Sequence, residues 1–377
     1  MKKLKNTLLI GLVLFAFSSY SSFAQEKYEF NTVVDLETSS VKSQGRSGTC
    51  WCYATTSFLE TELIRMGQPE YDLSEMFLVH HAYLKKAKDY VRYHGKNNFG
   101  QGGQAHDAIL ELKQHGIVPE EAYSGIQYDS EGHNHYEMAS VLKAFVDEIA
   151  NSKRLTPVWH KAYGAILESY LGKLPENFEY EGKSYSPKSF QEMLELNPED
   201  YIELTSYTHH DYYKTFVLEV PDNWSHDLYY NLPLNDLMRV METSLKEGYS
   251  VVWDGDVSSK GYAHEDGVAV VPEDTDIDTD EDFKTHPVEE KNITPEMRQQ
   301  LFNNFTTTDD HLMHLTGISV DQNGTRYYKT KNSWSDDSND FGGFLFMSDA
   351  FMRLNTIAIM IHKDALPEDI AEKLNIE

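Results

Sequence analysis

Gln44-Gly45-Arg46-Ser47-Gly48-Thr49-Cys50-Trp51-Cys52-Tyr53-Ala54 is the stretch on which the reading of this chain turns. A glycine- and serine-rich turn runs into a segment where Cys52, Thr56, Leu59, Leu63 and Met66 recur on one helical stripe. Cys50 therefore stands at the point where the turn becomes a helix, and the helix dipole favours an anion there. A thiol attacks a carbonyl as thiolate, so a cysteine so placed is a candidate nucleophile. Cys52 falls on the apolar stripe and is expected to be buried and inert. These are the two cysteines of the chain. Two residues apart on a helix they point about 200° away from each other, so no disulfide is expected between them.

Helical patterns follow at 73–93 and 104–115, separated by a loop with Gly100, Gly102 and Gly103. Residues 125–240 are rich in Tyr, Glu, Lys and His, with helical stretches near 136–172 and 187–196. Leu232 to Gly248 reads as another helix, and Ser250-Val251-Val252-Trp253 as the start of a strand. Strand patterns then dominate: His311 to Val320, Thr325 to Lys331, Gly343 to Met347 and Thr356 to His362, with Asn323-Gly324 as the turn between the first two. Helices first and strands last give the α+β class.

Three blocks bear chemistry, in chain order. The first is the opening stretch. The second is His311-Leu312-Met313-His314-Leu315-Thr316-Gly317, and the third is Asn332-Ser333-Trp334. Together they resemble the papain family of cysteine peptidases. The resemblance implies a helical half and an antiparallel β half with a cleft between them. It makes Cys50 the nucleophile, His311 its base, Asn332 the residue that orients the base and Gln44 the oxyanion donor. Losing one oxyanion donor typically costs about 10²–10³ in rate. Strand alternation puts His311 and His314 on opposite faces; the glycine spacing selects His311 and leaves His314 structural. Gly102 and Gly103 resemble the family's peptide-pairing double glycine, and Trp51 and Trp334 complete the expected substrate-binding set. Trp253 and Asp254 are candidates to line the cleft.

Cys50 and His311 are 261 positions apart, against the roughly 130–150 of a compact papain-like enzyme. An insertion, placed at 125–240, is required between a helical half (25–124) and a β half (241–377). Its size, the Ser47-Gly48 lead-in, Asn231-Leu232-Pro233-Leu234, Val252-Trp253 and Phe346-Met347-Ser348-Asp349 are similar to the bleomycin hydrolase/aminopeptidase C branch. Members of that branch are cytoplasmic hexamers whose C-terminal arm restricts cleavage to free N-termini. This chain ends at Glu377, soon after its last strand. The expectation is thus a thiol peptidase, aminopeptidase-like by resemblance, possible as a homo-oligomer. Its alternatives are an endopeptidase with an open cleft, a non-catalytic peptide binder of the same fold, or a cysteine acyltransferase.

Lys2, Lys3 and Lys5, the apolar run Leu8 to Phe17 and Ser22-Phe23-Ala24 read as a signal peptide spanning 1–24, cut after Ala24. The expected location is secreted or periplasmic, with no stable membrane anchor, the apolar run being too short to span a bilayer. The net charge of −28 would repel nucleic acid and anionic membranes, leaving peptides or proteins as partners. The acidic loop 272–290 (Glu273, Asp274, Asp276, Asp278, Asp280, Glu281, Asp282) lacks the glycine and closing glutamate of a calcium loop. His133-x-His135, His80-His81 and His209-His210 show no coherent ligand set. No cofactor and no catalytic metal are expected.

Overall fold

A computed structural model describes residues 27–127, 132–273 and 282–376. The expected signal peptide at 1–24 lies outside them, as do Asp274, Asp276, Asp278, Asp280 and Glu281 of the acidic loop. Strand β1 (Asn31–Asp35) precedes helices α1 (Cys50–Arg65), α2 (Glu75–Arg92), α3 (Ala105–His115), α4 (Tyr136–Asn151) and α5 (Val158–Leu171). The hairpin β2 (Phe178–Tyr180) and β3 (Lys183–Tyr185) leads to α6 (Pro187–Met193). Next come β4 (Tyr201–Thr205), β5 (Thr215–Val217), β6 (Leu228–Asn231), α7 (Leu234–Lys246), β7 (Val251–Gly255), β8 (Tyr262–Ala263) and β9 (Val268–Ala269). The chain closes with α8 (Asp282–Thr285), α9 (Pro295–Asn303), β10 (His311–Val320), β11 (Arg326–Lys331), β12 (Phe344–Ser348), α10 (Asp349–Asn355), β13 (Thr356–His362) and α11 (Glu368–Leu374).

One large sheet runs in the order β5-β6-β4-β13-β7-β10-β11-β12-β9-β8, with β1 pairing the far end of β10. Its centre is antiparallel: His311 of β10 faces Gly255 of β7, and β11 returns along β10 from Arg326. Gly324, at φ +85°, makes the turn between them. Nearly every residue of β10 is buried, because α1 covers one face and α7 packs on the strand as well. Strands covered on both faces are mostly apolar, as Leu312, Met313, Leu315, Ile318 and Val320 make this one.

Two large apolar cores result, with two smaller clusters beside them. One gathers Phe58, Leu59 and Leu63 of α1 with α2, α3, α4 and α5, and reaches Val252, Leu312 and Met360 on the sheet. The other lies between the sheet and α7, α10 and α11. Helix α1 sits at the junction and is buried from Cys50 to Leu63. Met66, read as the end of its stripe, is instead the C-cap and 39% exposed. The 125–240 segment does not stand apart. Its helices α4, α5 and α6 join the helical core, whereas β4, β5 and β6 extend the sheet through the β4–β13 pairing. The helical stretch read at 136–172 is two helices, broken between Asn151 and Val158. Strands β1, β4, β5 and β6 and helix α9 were not read from the sequence.

Candidate active site

The turn that delivers Cys50 is pinned on both sides. Arg46 N donates to His133 O at 2.8 Å, and Gly48 N to the Gln101 side chain at 2.9 Å. Gly45 takes φ +58°, and a Cβ there would lie 2.5 Å from His133 O, so the position requires glycine. Thr49 caps α1, and Cys50 is its first residue. The packing of α1 across β10 then sets the sulfur of Cys50 at the backbone N–H of Leu312, one residue past His311.

His311 is held from the far side. Its Nε2 donates to Asn332 Oδ1 at 2.8 Å, in a place where both residues are nearly closed to solvent. A neutral ring so held carries its proton on Nε2 and presents a bare Nδ1. Trp334 lies over the imidazole, ring centroids 5.0 Å apart, and is itself 37% exposed. The Asn332 amide is fixed in turn by His264 Nδ1 at 3.2 Å and Tyr262 Oη at 3.4 Å, two partners that the sequence reading missed. His314 is wholly buried against Ser57 Oγ at 2.9 Å, so it is the structural histidine.

Gln44 is built into the same corner. Its Oε1 accepts from Ser333 Oγ at 2.6 Å, and its Nε2 donates to Ser47 O at 2.7 Å. The amide nitrogen carries two hydrogens, so one remains for a further acceptor. The block Asn332-Ser333 thus orients the base and the candidate oxyanion donor together.

Three expectations are corrected. Trp51 is 1% exposed, with its indole N–H on Gln101 O at 3.0 Å, so it positions the glycine loop from within the core and offers no open face to a substrate. Gly103 packs against that indole, where a Cβ would fall 3.1 Å from the ring, and Gly102 packs against the Asp222 carboxylate. Trp253, on β7, is wholly buried and donates to Thr356 Oγ1, so it belongs to the core. The third correction concerns charge. The sequence favoured a thiolate at Cys50, but burial pushes this thiol up to about 12, and Asp309, Asp222 and Asp254 push the same way. Burial also brings His311 down to about 4. Both shifts oppose a standing thiolate–imidazolium pair in the closed site.

The histidine doublets gain tertiary partners. His81 meets Glu111 and His115, and His209 and His210 both meet Glu219. Neither group includes Cys50, His311, Asn332 or Gln44.

A helix-borne thiol beside a strand-borne imidazole whose tautomer is fixed by an asparagine, on an α+β frame, defines the class: a cysteine-type peptidase of papain-like fold. The Peptidase C1-like family model matches residues 12–377, and the chain belongs to that family. It is 24% identical over 388 aligned positions to Aminopeptidase G of Lactobacillus delbrueckii subsp. lactis, covering 90% of this chain and 85% of that one. It is 22% identical to the mitochondrial Cysteine proteinase 1 of Saccharomyces cerevisiae, over 93% of this chain and 80% of the relative. The crystal structure of PepW from Lactobacillus rhamnosis superposes with a TM-score of 0.71 at 18% identity, over 92% of this chain and 84% of that one.

Proposed function

We propose that this chain is an exported thiol aminopeptidase acting through an acyl-enzyme at Cys50. The observation that carries the reading is the 2.8 Å His311–Asn332 bond, which holds the ring's second nitrogen ready beside the strand residue that meets the Cys50 sulfur. Sγ of Cys50 attacks the peptide carbonyl carbon while its proton passes to Nδ1 of His311. The developing oxyanion takes the second N–H of Gln44 and the backbone N–H of Cys50. His311 then gives its proton to the leaving amine, and water, deprotonated by the same ring, releases the acid from the thioester. Trp334 keeps water from the His311–Asn332 bond. The names of the aminopeptidase relatives support cleavage at free N-termini. Export rests on the leader-like pattern at 1–24, and the intact mass of protein recovered from the source cells tests it, with Gln25 expected as the first residue.

The activity test uses one peptide, free and N-acetylated, followed by mass spectrometry under mild reduction. Stepwise loss from the free form alone, absent in Cys50→Ala, is the expected result. Internal cuts in both forms would convert the assignment to an endopeptidase. Undiminished hydrolysis by Cys50→Ala would end the thiol mechanism.

A further inference from the structure

Three aspartates from three separate segments act by charge on the Cys50 thiol: Asp222 ahead of β6, Asp254 on β7 and Asp309 just before β10. Two are anchored by amides. Asn98 Nδ2 donates to Asp222 Oδ1 at 2.8 Å, and Gln104 Nε2 to Asp309 Oδ2 at 2.7 Å, with Tyr229 Oη holding Gln104 from behind. Asp254 is different. It is 3% exposed, and no N–H or hydroxyl donor reaches either of its oxygens. What lies against it is the carboxyl of Asp309, and the other charges acting most on it, Glu203 and Asp222, are also acidic.

Two facing carboxylates in a low-dielectric pocket require either a shared proton or a cation. Lys86 offsets Asp222 but is not among the main charges acting on Asp254 or Asp309. Its ammonium is taken by the carbonyls of Gly100 and Gly102 and lies over the rings of Trp51 and Trp224. Asp222 and Asp309 are half-buried, so the group opens outward. It opens beside Gly102, where a Cβ would sit 1.8 Å from Asp222 Oδ2. While no cation is bound the pair holds a shared proton, which keeps the Asp254 carboxyl well above the usual carboxylate range, and the acidic charge that remains works against thiolate formation at Cys50.

We propose that Asp254 and Asp309, flanked by Asp222, form a subsite for a positively charged group of the substrate, seated beside Cys50 on the Gly102 side. This deepens the peptidase reading given above and rests on it for the word substrate. The chemistry required is an ammonium or guanidinium that can reach a carboxylate pair; a free α-amino group and a lysine or arginine side chain both supply it. Such a cation completes the hydrogen bonding of Asp254 and offsets the charge facing the sulfur, so the same event that selects the substrate favours the attacking thiolate.

Binding separates this idea from hydrolysis. The Cys50→Ala protein is titrated calorimetrically with three matched tripeptides. One has a free N-terminus and neutral side chains, one is acetylated with a lysine, and one is acetylated and neutral. The expected result is binding at least about 10-fold tighter for one or both cationic peptides than for the neutral one. The better of the two identifies the source of the charge. Adding Asp254→Asn and Asp309→Asn should level the three affinities. Should that triple variant not fold, Asp309→Asn alone, at a half-buried loop position, should reduce the preference severalfold. Equal binding of all three peptides, or a preference that survives the asparagines, would overturn the subsite. Charge-selective binding by a protein that never hydrolyses peptides would keep it and discard the peptidase reading.

Discussion

Asn332→Ala removes the acceptor of the His311 Nε2–H at a position 2% exposed, where water cannot readily replace it. A buried N–H left without a partner costs about 1–3 kcal/mol, a factor of about 5–150 in the population of the productive ring. The bond also favours the imidazolium form of His311, so its loss drives an already depressed histidine lower and makes proton acceptance harder. Both effects fall on the chemical step. The loss should therefore appear in kcat, with KM little changed. Asn332→Asp is the informative companion. It keeps an acceptor at 2.8 Å but places a negative charge on the ring, which raises the His311 pKa and shifts the pH–rate profile upward. The assay is the steady-state cleavage of a fluorogenic peptide with a free N-terminus, with thermal unfolding to confirm an intact fold. An Asn332→Ala enzyme within about twofold of the parent in kcat/KM would refute the orienting role.

Other consequences can be measured directly. Glu111 is buried on α3, and burial raises its carboxyl from 4.5 to about 8. Its folded form therefore prefers the proton, and the stability it contributes is full below about 4.5 and lost as pH rises toward 8. Glu111→Gln should match the parent in urea unfolding at low pH and exceed it increasingly up to pH 8; a constant difference would show that the carboxyl is not shifted. Gly102→Ala must displace the Asp222 carboxylate, at about 1–3 kcal/mol, whereas Gly100→Ala meets nothing within 4 Å and should stay within about 0.5 kcal/mol of the parent. Equal unfolding midpoints for the two would count against the close approach at Gly102. Leu63→Ala empties a wholly buried position on α1 and should cost about 2–5 kcal/mol in urea unfolding; a loss below about 1 kcal/mol would mean that the helix is not held by that core.

The residues at which the chemistry was read from sequence are those whose role depends on short-range context. Cys50 follows its turn, His311 opens a run buried on both faces, and Asn332-Ser333-Trp334 is one contiguous block. What depends on the face of an element was harder. Trp51 and Trp253 look like cleft residues in the sequence, yet both point into cores, because a tryptophan is apolar enough to serve either place. Strands β4, β5 and β6 are short and rich in tyrosine and polar residues, and become strands through pairing that starts at β13. The influences that oppose a thiolate at Cys50 are illegible in the sequence for a related reason. A helix dipole is a local quantity, whereas Asp222, Asp254 and Asp309 reach the sulfur from distant parts of the chain whose spacing carries no pattern.

The antiparallel seam of β7, β10 and β13 also has a consequence in time. The nucleophile belongs to the first helix, but the strand that faces it starts 261 residues later, and the asparagine that orients the base later still. At about 5–20 residues per second of synthesis, Cys50 emerges about 13–50 seconds before His311. During that interval the nascent chain carries a thiol with no base and no oxyanion corner, since Ser333 is what fixes Gln44. No truncated product ending before β11 can cut peptides. A ribosome stalled anywhere in the first four-fifths of the message releases a harmless fragment, and hydrolytic power arrives only with the strands that also complete the sheet.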